Sequence, residues 1–236
     1  MKSLVFRDYL RILDTEVNSA GKMYGLGERT RDKFFLDEGT YTSWAKDSEN
    51  KYDEGVAGGN SYGVHPVYFT HTRGANPKYF GVFNLNANMQ NTEVKFKGRL
   101  GAEVKHLLTG GVIDLYVFIG SSPELAVQMY HKLIGKPALP PYWGLGWHHG
   151  SYGLSNKSIW WDTAQKYVYD SLILDGIWLD VNYMDRFRPF TIDETRFARL
   201  NDTIVDVHNF GLKFVPIINP GIAVTINEDN NEESAY

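Results

Sequence analysis

The stretch Gly176-Ile177-Trp178-Leu179-Asp180-Val181-Asn182-Tyr183-Met184-Asp185 passes from an apolar run into a turn rich in carboxylates and aromatics. A short apolar run bounded by polar sequence reads as a buried strand. Its acidic end matters more, because barrel folds of parallel strands carry their functional groups at the C-terminal ends of those strands. Whether this stretch is one strand of such a barrel depends on what stands to either side of it.

Around it the chain alternates. The pattern predicts a short strand near Trp143 to Trp147, a helix from Asn156 to Leu172, the strand Gly176 to Asp180, a helix from Glu194 to Asn209, and a strand from Lys213 to Asn219. The second helix follows Thr191-Ile192-Asp193-Glu194, which has capping-box spacing, carries Phe197, Leu200, Ile204 and Val207 on one face, and stops at Gly211. A strand about every 35 residues with a helix between is the signature of βα units on a parallel sheet. About three such units fit, whereas an eight-unit barrel takes roughly 200 residues or more. The expectation is a barrel truncated after the third unit, with an open apolar edge there. Asn227 to Tyr236 read as a polar, acidic loop or tail.

Upstream, the rhythm differs. From Ser61 to Gly120 short alternating or apolar runs (His65 to His71, Tyr79 to Asn86, Thr92 to Lys97, Glu103 to Thr109, Val112 to Gly120) are separated by breaks such as Arg73-Gly74-Ala75-Asn76-Pro77, Gly98 and Gly110-Gly111. This spacing predicts antiparallel strands packed as a sandwich. Ser121-Ser122-Pro123-Glu124 then starts a helix with Leu125, Ala126, Met129, Tyr130 and Leu133 at helical spacing, stopped by Gly135 and Pro137. The rigid segment Pro137-Ala138-Leu139-Pro140-Pro141 is read as the junction, giving domains over 1–136 and 137–236.

The 236 residues, 43% hydrophobic and 22% charged, suffice for a substantial core. A formal charge of −4 with scattered Lys and Arg argues against nucleic acid or an anionic membrane as the main partner. No run approaches the roughly 20 apolar residues of a membrane span, and the charged N-terminus does not read as a signal peptide. Absence of cysteine excludes disulfides, thiol catalysis and thiolate metal sites. Sequons at Asn156 and Asn201 are no more than chance supplies in a chain rich in Asn. Aromatics make up 14%; core packing accounts for most, and some of the tryptophans could line a sugar site, where an apolar pyranose face packs on a ring.

Asp180 is the leading candidate for function, since a carboxylate at a strand end can accept hydrogen bonds from vicinal hydroxyls. Helix capping or ion pairing is the plainer alternative. Asn219-Pro220-Gly221 holds the matching place after the third strand, where a Pro-Gly turn explains it equally well. His148 and His149 suggest a metal, but adjacent strand residues point to opposite faces and cannot readily share an ion. Gly25-Leu26-Gly27-Glu28 lacks the rest of a phosphate loop and reads as a hairpin-like turn.

Together these segments resemble glycoside hydrolase family 31, the α-glucosidase group, over nearly the full chain. The resemblance is carried by Tyr24-Gly25-Leu26-Gly27-Glu28; Trp44-Ala45-Lys46-Asp47; Tyr62-Gly63-Val64-His65-Pro66-Val67-Tyr68; Gly81-Val82-Phe83; Gly135-Lys136-Pro137-Ala138-Leu139-Pro140-Pro141-Tyr142-Trp143; and Asp180 to Asp185 followed by Phe190-Thr191. It implies a β-sandwich of the galactose mutarotase kind followed by a (β/α)8 TIM barrel, and retaining hydrolysis of α-glucosides or oligosaccharides by two aspartates about 5 Å apart. It implies no cofactor or metal.

Trp178 to Asn182 imitates the family's nucleophile motif W-x-D-M-N-E, but Tyr183 stands in place of the Glu and the strand is only the second. The match is instead to the earlier D-I-D-Y-M element, whose first Asp binds hydroxyls of the sugar in the −1 subsite. The resemblance therefore implies substrate binding by Asp180, with Asp47, Tyr152, Val181 and Ile217 matching other positions of that pocket, and no catalytic residue within the chain. Lys46, Ser151, Asn182 and Asn219 depart from the family's usual Arg, Arg, Asp and Asp, which removes charges or bidentate donors and leaves substrate preference open. Two other readings compete: a non-catalytic carbohydrate-binding protein of the same fold, and a barrel hydrolase using Asp180 or Asp185 with a His to hold a metal.

Overall fold

The computed structural model describes residues 3–7, 10–45, 59–219 and 221. The chain divides into two compact units, Met1–Pro137 and Ala138–Tyr236.

In the first unit the strands are β1 (Ser3–Arg7), β2 (Leu10–Asn18), β3 (Ala20–Gly25), β4 (Gly39–Ser43), β5 (Val67–Thr72), β6 (Tyr79–Asn84), β7 (Gln90–Phe96), β8 (Gly101–Leu108) and β9 (Leu115–Gly120). They form two antiparallel sheets, ordered β1-β2-β8-β7-β4 and β3-β5-β6-β9. Strand β8 shows why: Ala102, Val104, His106 and Leu108 are buried while the residues between them are half-exposed, the period-2 pattern of a sheet with one face in the core. Val17, Met23, Tyr41, Tyr68, Val82, Val94 and Val104, drawn from both sheets, meet in one apolar cluster. Entry into β8 requires Gly101, whose φ is +133° and whose Cβ would lie 2.0 Å from the Val17 carbonyl oxygen.

The outer face of the smaller sheet is covered by helix α1 (Pro123–Ile134). Its Tyr130 ring packs edge-on against Phe69, Phe83 and Phe118. The Ser122 hydroxyl accepts the Leu125 N–H at 3.3 Å and Pro123 opens the first turn, so the start is where the sequence puts it.

Strands β1 to β4 lie outside the run of strands read from the sequence. The segment Gly25 to Glu28 is not a hairpin turn either. Leu26 N–H donates to the Val67 carbonyl, Glu28 N–H to that of Gly63, and His65 N–H to that of Gly27, so it is laced to a distant loop.

The second unit holds a three-stranded parallel sheet, β10 (His148–His149), β11 (Gly176–Leu179) and β12 (Lys213–Pro216), joined by α2 (Lys157–Tyr169) and α3 (Leu200–Asn209). Trp160, Ala164, Ile177, Leu179, Phe197 and Val207 form its core. The Asn156 side chain accepts the Ile159 N–H at 3.0 Å and caps α2, a structural use for that residue.

Several expected boundaries move, α2 ending at Tyr169 rather than Leu172 and β12 at Pro216 rather than Asn219. Trp143 to Trp147 is not a strand: Tyr142–Leu145 form a 3-10 turn, and the Trp147 N–H donates to the Asp175 carboxylate at 2.9 Å, so the strand begins at His148. Helix α3 begins at Leu200 rather than Glu194. Thr191 donates instead to the Arg188 carbonyl, and Asp193 spends its carboxylate on the N–H groups of Thr195 and Arg196 and the Arg196 guanidinium, closing a separate turn. Arg199 then takes a left-handed conformation before the helix starts.

Candidate functional site

The site is built at the C-terminal end of β11. Ile177 and Leu179 are fully buried and fix the strand, which brings Asp180 out at its end, half-buried and capping the 3-10 turn Val181–Tyr183. Asp180 Oδ1 accepts the Val181 N–H at 2.7 Å. Among the described residues its other carboxylate oxygen has no hydrogen-bond partner.

The turn is locked to the neighbouring strand. The Tyr183 hydroxyl donates to the Ile217 carbonyl at 2.9 Å, and the Ile217 N–H donates to the Leu179 carbonyl at 2.9 Å. Burial raises the Tyr183 phenol above its ordinary value, so it stays a neutral donor. Val181 is buried in the unit's core and Ile217 packs against that core. Asp180, Val181 and Ile217 are thus gathered at the ends of adjacent strands.

Tyr152 stands 61% exposed on the turn after β10, and no hydrogen bond among the described residues joins it to Asp180. Asp47 and Lys46 lie outside the described residues.

The two histidines occupy different surroundings. His148 Nε2 lies 3.0 Å from the Trp143 carbonyl and must carry the proton, which leaves Nδ1 to accept the Trp178 indole N–H at 3.0 Å. His149 Nδ1 pairs with the Tyr167 hydroxyl at 3.0 Å. The His148 ring is therefore fully engaged, and it backs the strand that delivers Asp180. This support went unread in the sequence, although Trp178 and His148 sit at strand positions that the pairing register makes near neighbours.

Asp185 is bound to the Arg188 guanidinium, with Arg186 at 3.7 Å. Its N–H donates to Thr191 Oγ1 at 3.0 Å, and the Asp193 N–H returns to the Tyr183 carbonyl at 2.8 Å. The loop beyond the site is closed on itself by these bonds. Among the described residues, no three His, Asp or Glu side chains come together as metal ligands. What the arrangement offers chemically is a held carboxylate whose second oxygen has no partner among the described residues, suited to accepting hydrogen bonds from the hydroxyls of a neutral ligand.

Residues 137–235 match the family described as the glycosyl hydrolases family 31 TIM-barrel domain. A probable alpha-glucosidase of Oryza sativa subsp. japonica is 35% identical over 234 residues, covering 94% of this chain and 25% of the relative. A probable alpha/beta-glucosidase of Aspergillus clavatus is 33% identical over 235 residues, covering 98% of this chain and 26% of the relative. The chain spans about a quarter of the length of the curated relatives it matches. Among solved structures, a glucosidase II alpha subunit superposes with a TM-score of 0.81 at 22% identity, over 92% of this chain and 25% of that one. A Flavobacterium johnsoniae GH31 dextranase superposes with a TM-score of 0.79 at 19% identity, over 94% and 26%. These two likenesses concern the fold alone. With the barrel-domain match and relatives aligned along nearly its whole length, the chain belongs to glycoside hydrolase family 31.

Proposed function

We propose that this chain is a portion of a retaining α-glycosidase that hydrolyses α-linked glucosides: a β-sandwich over 1–136, then the first three βα units of a (β/α)8 barrel over 137–236. In this reading Asp180 binds vicinal hydroxyls of the sugar in the −1 subsite. Val181 and Ile217 form its apolar wall, Tyr152 binds the same sugar, and Asp47, which lies outside the described residues, is assigned to substrate binding as well. The nucleophile and the acid/base aspartate belong to later barrel strands, outside this chain.

The observation that carries the reading is Asp180 itself: a half-buried carboxylate at the end of the middle parallel strand, with one oxygen turned to its own backbone and the other without a partner among the described residues. A carboxylate that only capped the turn would do so as well from a more exposed position. The curated relatives, named as α-glucosidases, support the substrate class. In the retaining mechanism one carboxylate attacks the anomeric carbon while another protonates the leaving oxygen, and both must flank the bond. Among the described residues, the next carboxylate along the chain, Asp185, is engaged by Arg188.

The reading has a direct test. The purified 236-residue chain is expected to give no turnover of a chromogenic α-glucoside, and measurable hydrolysis that survives repurification would defeat it. A continuation of the coding sequence downstream of Tyr236 into a W-x-D-M-N-E segment would supply the missing nucleophile.

A further inference from the structure

A chain of hydrogen bonds runs through Trp178, two residues before Asp180. Its indole N–H donates to His148 Nδ1 at 3.0 Å, and its carbonyl accepts the Trp160 indole N–H from α2 at 3.1 Å. His148 Nε2 donates in turn to the Trp143 carbonyl at 3.0 Å. The backbone leaves room for the two rings. Gly176 is the register partner of His148, and a Cβ there would lie 2.5 Å from His148 Nδ1; a Cβ on Gly150 would lie 3.1 Å from that of Trp178. Side chains alternate along a strand, so Trp178 and Asp180 share one face while Ile177 and Leu179 enter the core on the other. Asp180 continues the extended backbone, with a ψ of 177°. Aliphatic packing at position 148 would bury the strand equally well. An imidazole that accepts on one nitrogen and donates from the other adds direction, because it fixes the orientation of the Trp178 ring.

We propose that His148 is a positioning residue for Asp180. By accepting the Trp178 indole N–H it sets the rotation of β11 about its axis, and so the direction in which the Asp180 carboxylate leaves the strand end. This role rests on the reading of Asp180 as a sugar-binding residue. His148 itself touches no sugar. Its effect on affinity comes from geometry: a hydrogen bond weakens steeply once its angle is lost, so a carboxylate on a loosened strand end grips hydroxyls less well although its charge is unchanged.

The bond from the Val181 N–H to Asp180 Oδ1 supplies a readout within the chain. Amide hydrogen exchange of the 236-residue protein, followed by NMR, is expected to show Val181 exchanging about tenfold faster in His148→Leu, the size of a hydrogen bond to a charged group. The Ile159 amide, held by the Asn156 cap on α2, should be unchanged and reports the stability of the unit. His148→Asn, whose amide oxygen can accept the indole N–H, should restore the protection of Val181. Trp178→Phe removes the same bond from its other side, so combining it with His148→Leu should be no worse at Val181 than either change alone. An unchanged Val181 amide in His148→Leu overturns the proposal, and so does equal acceleration of Val181 and Ile159, which would make His148 a support of the fold only. Titration with methyl α-D-glucopyranoside separates this role from the sugar reading. His148→Leu should weaken binding about fivefold, less than Asp180→Asn does. If Asp180→Asn weakens binding and His148→Leu does not, the positioning role alone fails. If Val181 responds as stated while Asp180→Asn leaves binding unchanged, or the protein binds no glycoside, the sugar reading fails and the hold of His148 on Asp180 stands.

Discussion

Asp180 owes its availability to its neighbours. Ile177 and Leu179 on the same strand are fully buried, and the backbone N–H of Val181 holds one carboxylate oxygen while the other has no partner among the described residues. Asp180→Asn keeps size and shape but removes the charge, so α-glucoside binding should fall about tenfold or more, the loss of charge-assisted hydrogen bonds at ~1.5–3 kcal/mol; calorimetric titration of both proteins checks this. Behind it, the Trp178 indole gives its only proton to His148. Trp178→Phe leaves His148 Nδ1 without a donor, and should lower stability by about 1–2 kcal/mol, read as a drop in the urea midpoint.

At the scale of elements, caps decide where helices begin. Ser122 and Asn156 each accept the N–H three residues on, and α1 and α2 start directly after them. Asn156→Ala should therefore cost about 1 kcal/mol of stability in the second unit even in unglycosylated protein, measurable by chemical denaturation; no change would mean that the cap bond contributes nothing. These two starts were legible because a polar cap preceded an apolar helical period. The start of α3 was not, because Thr191 and Asp193 had two uses available: a capping box, or the loop bonds to Asp185, Arg188 and Arg196 that they make. Local pattern could not choose between them. The choice follows from closing the loop after Asp180, where the Asp193 N–H meets the Tyr183 carbonyl.

For the molecule as a whole, the pH response should be set in the first unit by His106. It is 2% exposed on β8, its Nδ1 is 3.1 Å from the Thr92 hydroxyl, and its Nε2 is enclosed without a partner among the described residues. Desolvation lowers its pKa from 6.5 to about 4. Between those values the unfolded chain binds the proton that the folded chain refuses, so stability is retained above about pH 6.5, declines as pH falls towards 4, and levels off below it. The loss is on the order of 3 kcal/mol. Urea unfolding from pH 7 to 4 should show this slope, and His106→Leu should flatten it; an unchanged slope in the variant would place the effect elsewhere.

Much of the architecture was written in one dimension. Period-2 runs between Ser61 and Gly120, a capped helix after Ser122, and apolar runs ending in polar turns are local signals, because strand and helix periodicities are properties of neighbouring residues. They sufficed to bring Asp180 to a strand end, with Val181 beside it. Partnership was not legible, since it depends on residues far apart in sequence: Tyr183 with Ile217, Trp178 with His148, the Gly25 to Glu28 loop with the segment from Ser61 to Val67. Tertiary structure alone decided that, among the described residues, one oxygen of Asp180 has no partner and the Asn182 amide oxygen is enclosed without a donor. Sequence sets which groups a strand end carries; whether a group is spent on the protein or left for a ligand depends on what the fold places within hydrogen-bond reach of it.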